Sequence, residues 1–171
     1  MKQYYVFLDI DGVFTTGRVQ FAHSAAYSMW HRFDPIAIDF MNKIHDTYNV
    51  KFVLISTWKN NYLVDDETSI HWIKSAFGNS GFRGEFAEVW KTDPENLSVM
   101  KRGGYNRANE VKDYLRYYPA DDFIIFDDND YRYKSILGIK RLVLTNPDNG
   151  ILYAHMKNAW SIMGQWENKN V

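Results

Sequence analysis

The stretch FLDIDGVFTT, Phe7–Thr16, decides how the rest of the chain is read. Tyr4–Leu8 is an apolar run that stops at Asp9, short enough for a strand buried on both faces. Asp9 ends that strand, Asp11 lies just past it in the loop, and Gly12 permits a sharp turn. Two carboxylates so placed can divide labour. One attacks phosphorus, while the other protonates the leaving oxygen and later activates water. Two close acids and a phosphate dianion repel one another without a cation, so the stretch also calls for a metal. A calcium loop of the helix-loop-helix type does not fit, because it needs Gly at its sixth position and Glu at its twelfth. Counted from Asp9, those positions hold Phe14 and Gln20. A turn in which Asp merely caps a helix remains open from this string alone.

Outward from it, strands and helices alternate. Asp34-Pro35 is an N-cap followed by Pro at the first helical position, and Ala37, Met41, Ile44 and Tyr48 follow at helical spacing up to Asn49. Lys51–Ile55 is a second buried strand ending at Ser56, and Glu67–Phe77 is a helix closed by Gly78. Asn106 caps a helix that carries Val111, Leu115 and Tyr118 on one face before Pro119. Phe123–Phe126 is a third strand running into Asp127 and Asp128, Arg141–Leu144 a fourth, and Leu152–Met163 a last helix. Strands spaced by helices imply an α/β, three-layer, Rossmann-like fold with a mostly parallel sheet. Ligands in such sheets sit outside the carboxyl ends of the strands, which brings Asp9, Ser56 and Asp127-Asp128 to one edge. Residues 57–106 are expected to be a loop-rich decoration on a single domain of 1–171, too short for a large cap.

Composition narrows the function classes. The chain has 171 residues with 46% hydrophobic and 24% charged, an ordinary globular balance. Lys plus Arg is 20 against 21 for Asp plus Glu, so no global basic field exists to hold a long phosphate backbone. Cysteine is absent, which removes disulfides, thiolate metal sites and cysteine nucleophiles together. No apolar run is long enough for a membrane helix, and a cytoplasmic location is the default expectation. His23, His31, His45, His71 and His155 show no zinc-like spacing. Aromatic residues are plentiful, with 12 Tyr, 11 Phe and 6 Trp. Trp30, Tyr62, Trp90 and Tyr105 fall in expected loops or element ends, where they either stack on a base or pack locally. Lys101-Arg102 either holds a second phosphate or is a solvated turn.

The spaced motifs together resemble the haloacid dehalogenase superfamily of phosphohydrolases. FLDIDGV is similar to its first motif, VLISTW to the second, and FIIFDDND to the fourth. RANEVKDYL, Arg107–Leu115, resembles the R-x-x-E form of the third motif, which is a Lys elsewhere in the superfamily. FDP (Phe33–Pro35), STWK (Ser56–Lys59) and TNPDNGI (Thr145–Ile151) resemble the capless domains of Swiss Army Knife RNA-repair proteins. Phage polynucleotide 3′-phosphatases and 5′(3′)-nucleotidases are similar at the fourth motif.

The resemblance implies a Mg²⁺-dependent phosphatase working through an aspartyl-phosphate. Asp9 would be nucleophile and metal ligand, and Asp11 the acid and base, lending its backbone carbonyl to the metal. Ser56 and Arg107 would hold the phosphoryl oxygens, with Lys112 as the competitor for the cationic role. Asp128 would complete the metal site, supported by Asp127, with Asp130 farther out. Thr57, Trp58 and Lys59 would contact substrate, although Trp58 and Lys59 could equally pack at the rim or in the core. The expected substrate is a small phosphorylated molecule, a nucleoside monophosphate first and a nucleic-acid 3′-phosphate end second. A non-catalytic phosphate-binding or receiver-like module is the alternative of another class, disfavoured because a receiver has no use for Asp11 as a proton donor.

Overall fold

The computed structural model describes residues 2–22, 33–59, 65–92, 106–138 and 140–168. Five parallel strands form one sheet in the order β3-β2-β1-β4-β5. In chain order these are β1 (Tyr4–Leu8), β2 (Val50–Leu54), β3 (Phe86–Lys91), β4 (Asp122–Asp127) and β5 (Leu142–Leu144). The helices are α1 (Gly17–Ala22), α2 (Pro35–Thr47), α3 (Asp66–Asn79), α4 (Arg107–Tyr117), α5 (Tyr133–Leu137) and α6 (Tyr153–Met163). No helix among the described residues is long and apolar enough to cross a membrane.

The central strands are apolar on both sides because both sides are covered. Tyr4, Val6 and Leu8 of β1 pack with Phe52 and Leu54 of β2 and Ile124 and Phe126 of β4. That layer is closed by Ile38, Met41 and Ile44 of α2, Phe77 of α3 and Met163 of α6. The alternate residues Phe7, Val53 and Ile125 face the other way, onto Ala108, Val111 and Tyr114 of α4 and Tyr133 of α5. Each large side chain so buried contributes roughly 1.5–3 kcal/mol through the hydrophobic effect. The period of two has a consequence for chemistry: Asp9 and Asp127 continue the Phe7 and Ile125 series, toward α4 and α5.

The expected helix start at Asp34-Pro35 is present. The Asp34 side chain accepts from the Ile36 N–H at 2.9 Å, and Pro35 needs no partner for a missing N–H. The helix expected to stop at Gly78 runs on to Asn79, and the chain turns at Gly81 with φ of 86°. One expectation fails. The stretch after the third helix is not simply loop, because Phe86–Lys91 is a strand of the central sheet, paired to β2. As an edge strand it buries little beyond Trp90, so its apolar signal is weak. Trp90 itself lies in the core and offers no face to a ligand. Trp30, Tyr62, Tyr105 and Lys101-Arg102 lie outside the described residues.

Candidate active site

Parallel pairing brings the strand ends level. Leu8 is in register with Leu54 and with Phe126, so Asp9 stands beside Asp127 at the carboxyl edge, with Ser56 following β2. The Asp9 N–H donates to the Phe126 carbonyl at 2.9 Å, and the Thr145 N–H to that of Asp127 at 2.9 Å. Asp9 is 2% exposed, and Asp127 and Ser56 are fully buried. Asp128, one residue on, is half-buried.

Arg107 opens α4, where Asn106 caps the helix by accepting from the Ala108 N–H at 2.9 Å. Its Nη1 donates to Asp9 Oδ2 at 2.6 Å and to Asp127 Oδ2 at 3.1 Å. The guanidinium also lies over the Tyr131 ring, 4.7 Å from its centroid. Burial works against its charge, but Asp9 and Asp127 outweigh burial and push its pKa up. Its Nε–H is buried and has no hydrogen-bond partner among the described residues, so one donor of the guanidinium remains available. Lys112, the competing cation, is exposed on α4.

Asp127 is held on both oxygens. Oδ2 accepts from the Tyr133 hydroxyl at 2.8 Å as well as from Arg107, and Oδ1 accepts from the Asn129 N–H at 2.9 Å. Burial and then the Asp9 charge raise its pKa well above the usual carboxylate range, against the pull of Arg107. Asp128 is raised for the same two reasons in the same order. Such shifts mark a site short of positive charge. One carboxylate oxygen from each of Asp9, Asp127 and Asp128 lies within 4.8 Å of the others. This hard, all-oxygen donor set fits a hard divalent cation, with Asp9 and Asp128 as the carboxylates left to ligate, since Asp127 is held on both oxygens. Asp130 is exposed and stands outside that cluster.

Gly12 shapes the same corner. Its φ is 71°, and a Cβ there would stand 2.4 Å from Asp128 Oδ2, so a side chain is excluded twice over. Asp11 is exposed. Its Oδ1 accepts from Thr15 Oγ1 at 2.7 Å and its Oδ2 from the Trp58 indole N–H at 3.0 Å. The Trp58 N–H approaches Ser56 Oγ at 3.4 Å, and Thr57 is exposed beside it. Lys59, expected at the substrate, is 1% exposed with its ammonium held by Glu110 and Thr92. Sequence reasoning missed Tyr131, Tyr133, Thr92 and Glu110. Of these, only Glu110 left a trace, as the acid of the R-x-x-E string.

The geometry predicts the effect of neutralising Asp128. In Asp128→Asn the fold should be largely intact, since the side chain sits at a half-exposed strand end, but divalent-ion affinity should fall. Calorimetric titration with Mg²⁺ checks this, and an unchanged affinity would remove Asp128 from the donor set.

A scan against protein-family models matches residues 5–156 to the HAD domain in Swiss Army Knife RNA repair proteins. No curated protein and no solved structure matches the chain. The matched span begins within β1 and ends in the first turn of α6, so it holds Asp9, Asp11, Ser56, Arg107, Asp127 and Asp128. The chain therefore belongs to the family of haloacid dehalogenase domains found in Swiss Army Knife RNA repair proteins.

Proposed function

We propose that this chain is a Mg²⁺-dependent phosphomonoester hydrolase that passes through a phosphorylated Asp9. The family makes phosphatase-type hydrolysis the general activity. The observation that carries the specific reading is the convergence of three carboxylates and one buried guanidinium with an unpaired N–H at the strand ends. Asp9, already level with Asp127 and Asp128, attacks phosphorus. Asp11, exposed beside it, gives a proton to the leaving oxygen and then takes one from the water that hydrolyses the acyl phosphate. Ser56 and Arg107 hold the phosphoryl oxygens, Arg107 through the donor that the carboxylates leave unused. Asp9, Asp128 and the Asp11 carbonyl would hold Mg²⁺, with Asp127 as support, and the ion would offset the negative charge that gathers in the transition state.

The substrate proposed is a nucleoside monophosphate. Near-zero net charge provides no extended track for a polymer, and half-buried Trp58 stands beside Asp11 where one base can stack. Trp90, being in the core, plays no part in this. The family's RNA-repair setting favours a second reading, a 3′-phosphate at a polynucleotide end. The kcat/KM for a nucleoside monophosphate should exceed that for a phosphorylated oligonucleotide by about tenfold, roughly 1.4 kcal/mol in transition-state binding. Trp58→Ala should erode that margin. A higher value for the oligonucleotide at moderate salt would promote end repair to first place. Failure of any phosphomonoester to turn over with Mg²⁺ would leave the non-catalytic phosphate-binding module.

A further inference from the structure

Lys59 is the most deeply buried cation among the described residues, 1% exposed. Lysine is almost never buried so far unless paired. Its Nζ donates to Glu110 Oε2, to Thr92 Oγ1 at 2.6 Å and, at the limit of a hydrogen bond, to the Ile55 carbonyl at 3.5 Å. The Thr92 hydroxyl in turn donates to Glu110 Oε2 at 2.7 Å. The three residues come from three places. Lys59 closes the short turn after β2, with its N–H on the Ser56 carbonyl at 3.2 Å. Thr92 follows β3, with its N–H on the Leu54 carbonyl at 3.0 Å, and Glu110 is in the first turn of α4.

Glu110 is also three residues after Arg107 on the same helix. Side chains three apart on a helix are neighbours and pair readily when opposite in charge. Helix spacing alone therefore offers Arg107 a second candidate partner, Glu110 a turn along its own helix, besides Asp9 and Asp127 in the site. The Arg107 guanidinium goes to Asp9 and Asp127, and Glu110 goes to Lys59. Lys59 and Arg107 feel one another as like charges, so they sit in one electrostatic field. A carboxylate 8% exposed and stripped of its cation is strongly unfavourable and would draw in whatever cation it can reach.

We propose that Lys59 is a positioning residue: by occupying Glu110 it denies Arg107 an intrahelical partner and keeps the guanidinium turned to Asp9 and Asp127. This deepens the phosphatase reading, on which it rests for its kinetic consequences only. It differs in sign from a direct contact between Lys59 and substrate. If Lys59 touched the phosphate, removing Glu110 could not restore what Lys59→Met loses. If Lys59 acts by occupying Glu110, removing both should.

The experiment compares Lys59→Met, Glu110→Gln and Lys59→Met/Glu110→Gln in the full chain, each with Arg107 present and with Arg107→Ala. It reads kcat/KM for p-nitrophenyl phosphate with Mg²⁺, the thermal midpoint, and the side-chain Nε–H resonance of Arg107, assigned by its loss in Arg107→Ala. Lys59→Met should lower kcat/KM about tenfold or more and shift the Arg107 resonance. The double variant should return to within about threefold of the parent, with the resonance restored, and Glu110→Gln alone should stay within about threefold. With Arg107→Ala in place, Lys59→Met should have less than about a twofold effect, which separates positioning from a loss of local positive charge. A double variant as impaired as Lys59→Met overturns the proposal, as does a fall in thermal midpoint with the resonance unmoved. Should Lys59→Met not fold, Lys59→Met/Glu110→Gln decides, because it leaves neither charge of the pair buried alone, and a loss of about tenfold or more there means that Lys59 does not act by occupying Glu110. If the parent chain turns over no phosphomonoester, the phosphatase reading fails, and the resonance in the double and single variants still decides the positioning of Arg107.

Discussion

Asp9→Asn is expected to abolish turnover, with a loss of several orders of magnitude in kcat on every phosphomonoester. The carboxamide is a poor nucleophile, and losing a covalent intermediate removes the easier of two routes. The substitution also strips charge from two partners at once. Asp9 Oδ2 is one of two carboxylate oxygens on Arg107 Nη1 among the described residues, and the same residue belongs to the oxygen cluster with Asp127 and Asp128. The backbone around it is held by the ladder to Phe126 and by its own Oδ1, which accepts from the Ile10 N–H at 2.8 Å. Folding should therefore survive while chemistry does not. Rapid-quench labelling with ³²P substrate should trap a phosphorylated chain from the parent and none from Asp9→Asn. Near-parental turnover by the variant would refute the assignment of the nucleophile.

The second large effect is selective. Asp11→Asn should cost roughly 10²–10⁴ in kcat for alkyl and nucleoside phosphates, the range a general acid supplies, and much less for p-nitrophenyl phosphate. The alkoxide needs its proton in the transition state, whereas p-nitrophenolate leaves without one. Asp11 suits this because it is exposed and stands apart from the Arg107 cluster, tethered by Thr15 and Trp58. A plot of log kcat against leaving-group pKa should steepen in the variant. Equal losses on both substrate types would mean that Asp11 is not the acid.

Much of this site was legible because apolar strands that stop at acids announce themselves. β1, β2 and β4 are nearly continuous apolar runs, and the register that sets Asp9 beside Asp127 follows from their being parallel neighbours. Asp34-Pro35 gave α2 its start by local chemistry alone. β3 was hidden because an edge strand alternates weakly, and Glu88 and Lys91 interrupt its apolar residues. The Lys59 network was hidden for another reason. Its members are 33 and 51 residues from Lys59, and nothing in a local window links a lysine after one strand to a threonine after another. The sequence leaves its neighbour Trp58 between substrate contact and packing, and the indole N–H on Asp11 emerges only from the folded arrangement.

The strand order has a consequence for how the chain becomes active. β1 is the earliest of the five described strands in chain order and sits in the middle of the sheet, with β2 on one side and β4 on the other. Its second edge stays unpaired until Asp122–Asp127 has been synthesised, and the contact between Asp9 and Arg107 closes a separation of 98 residues. Pairings this distant in sequence slow folding, because loop entropy is lost before the contacts that offset it can form. A nascent or truncated chain ending before β4 would carry Asp9, the proposed nucleophile, but neither Asp127 nor Asp128. The proposed site is thus assembled only with completion of the sheet, and a half-made chain carries Asp9 and Asp11 without Arg107, Asp127 or Asp128 beside them.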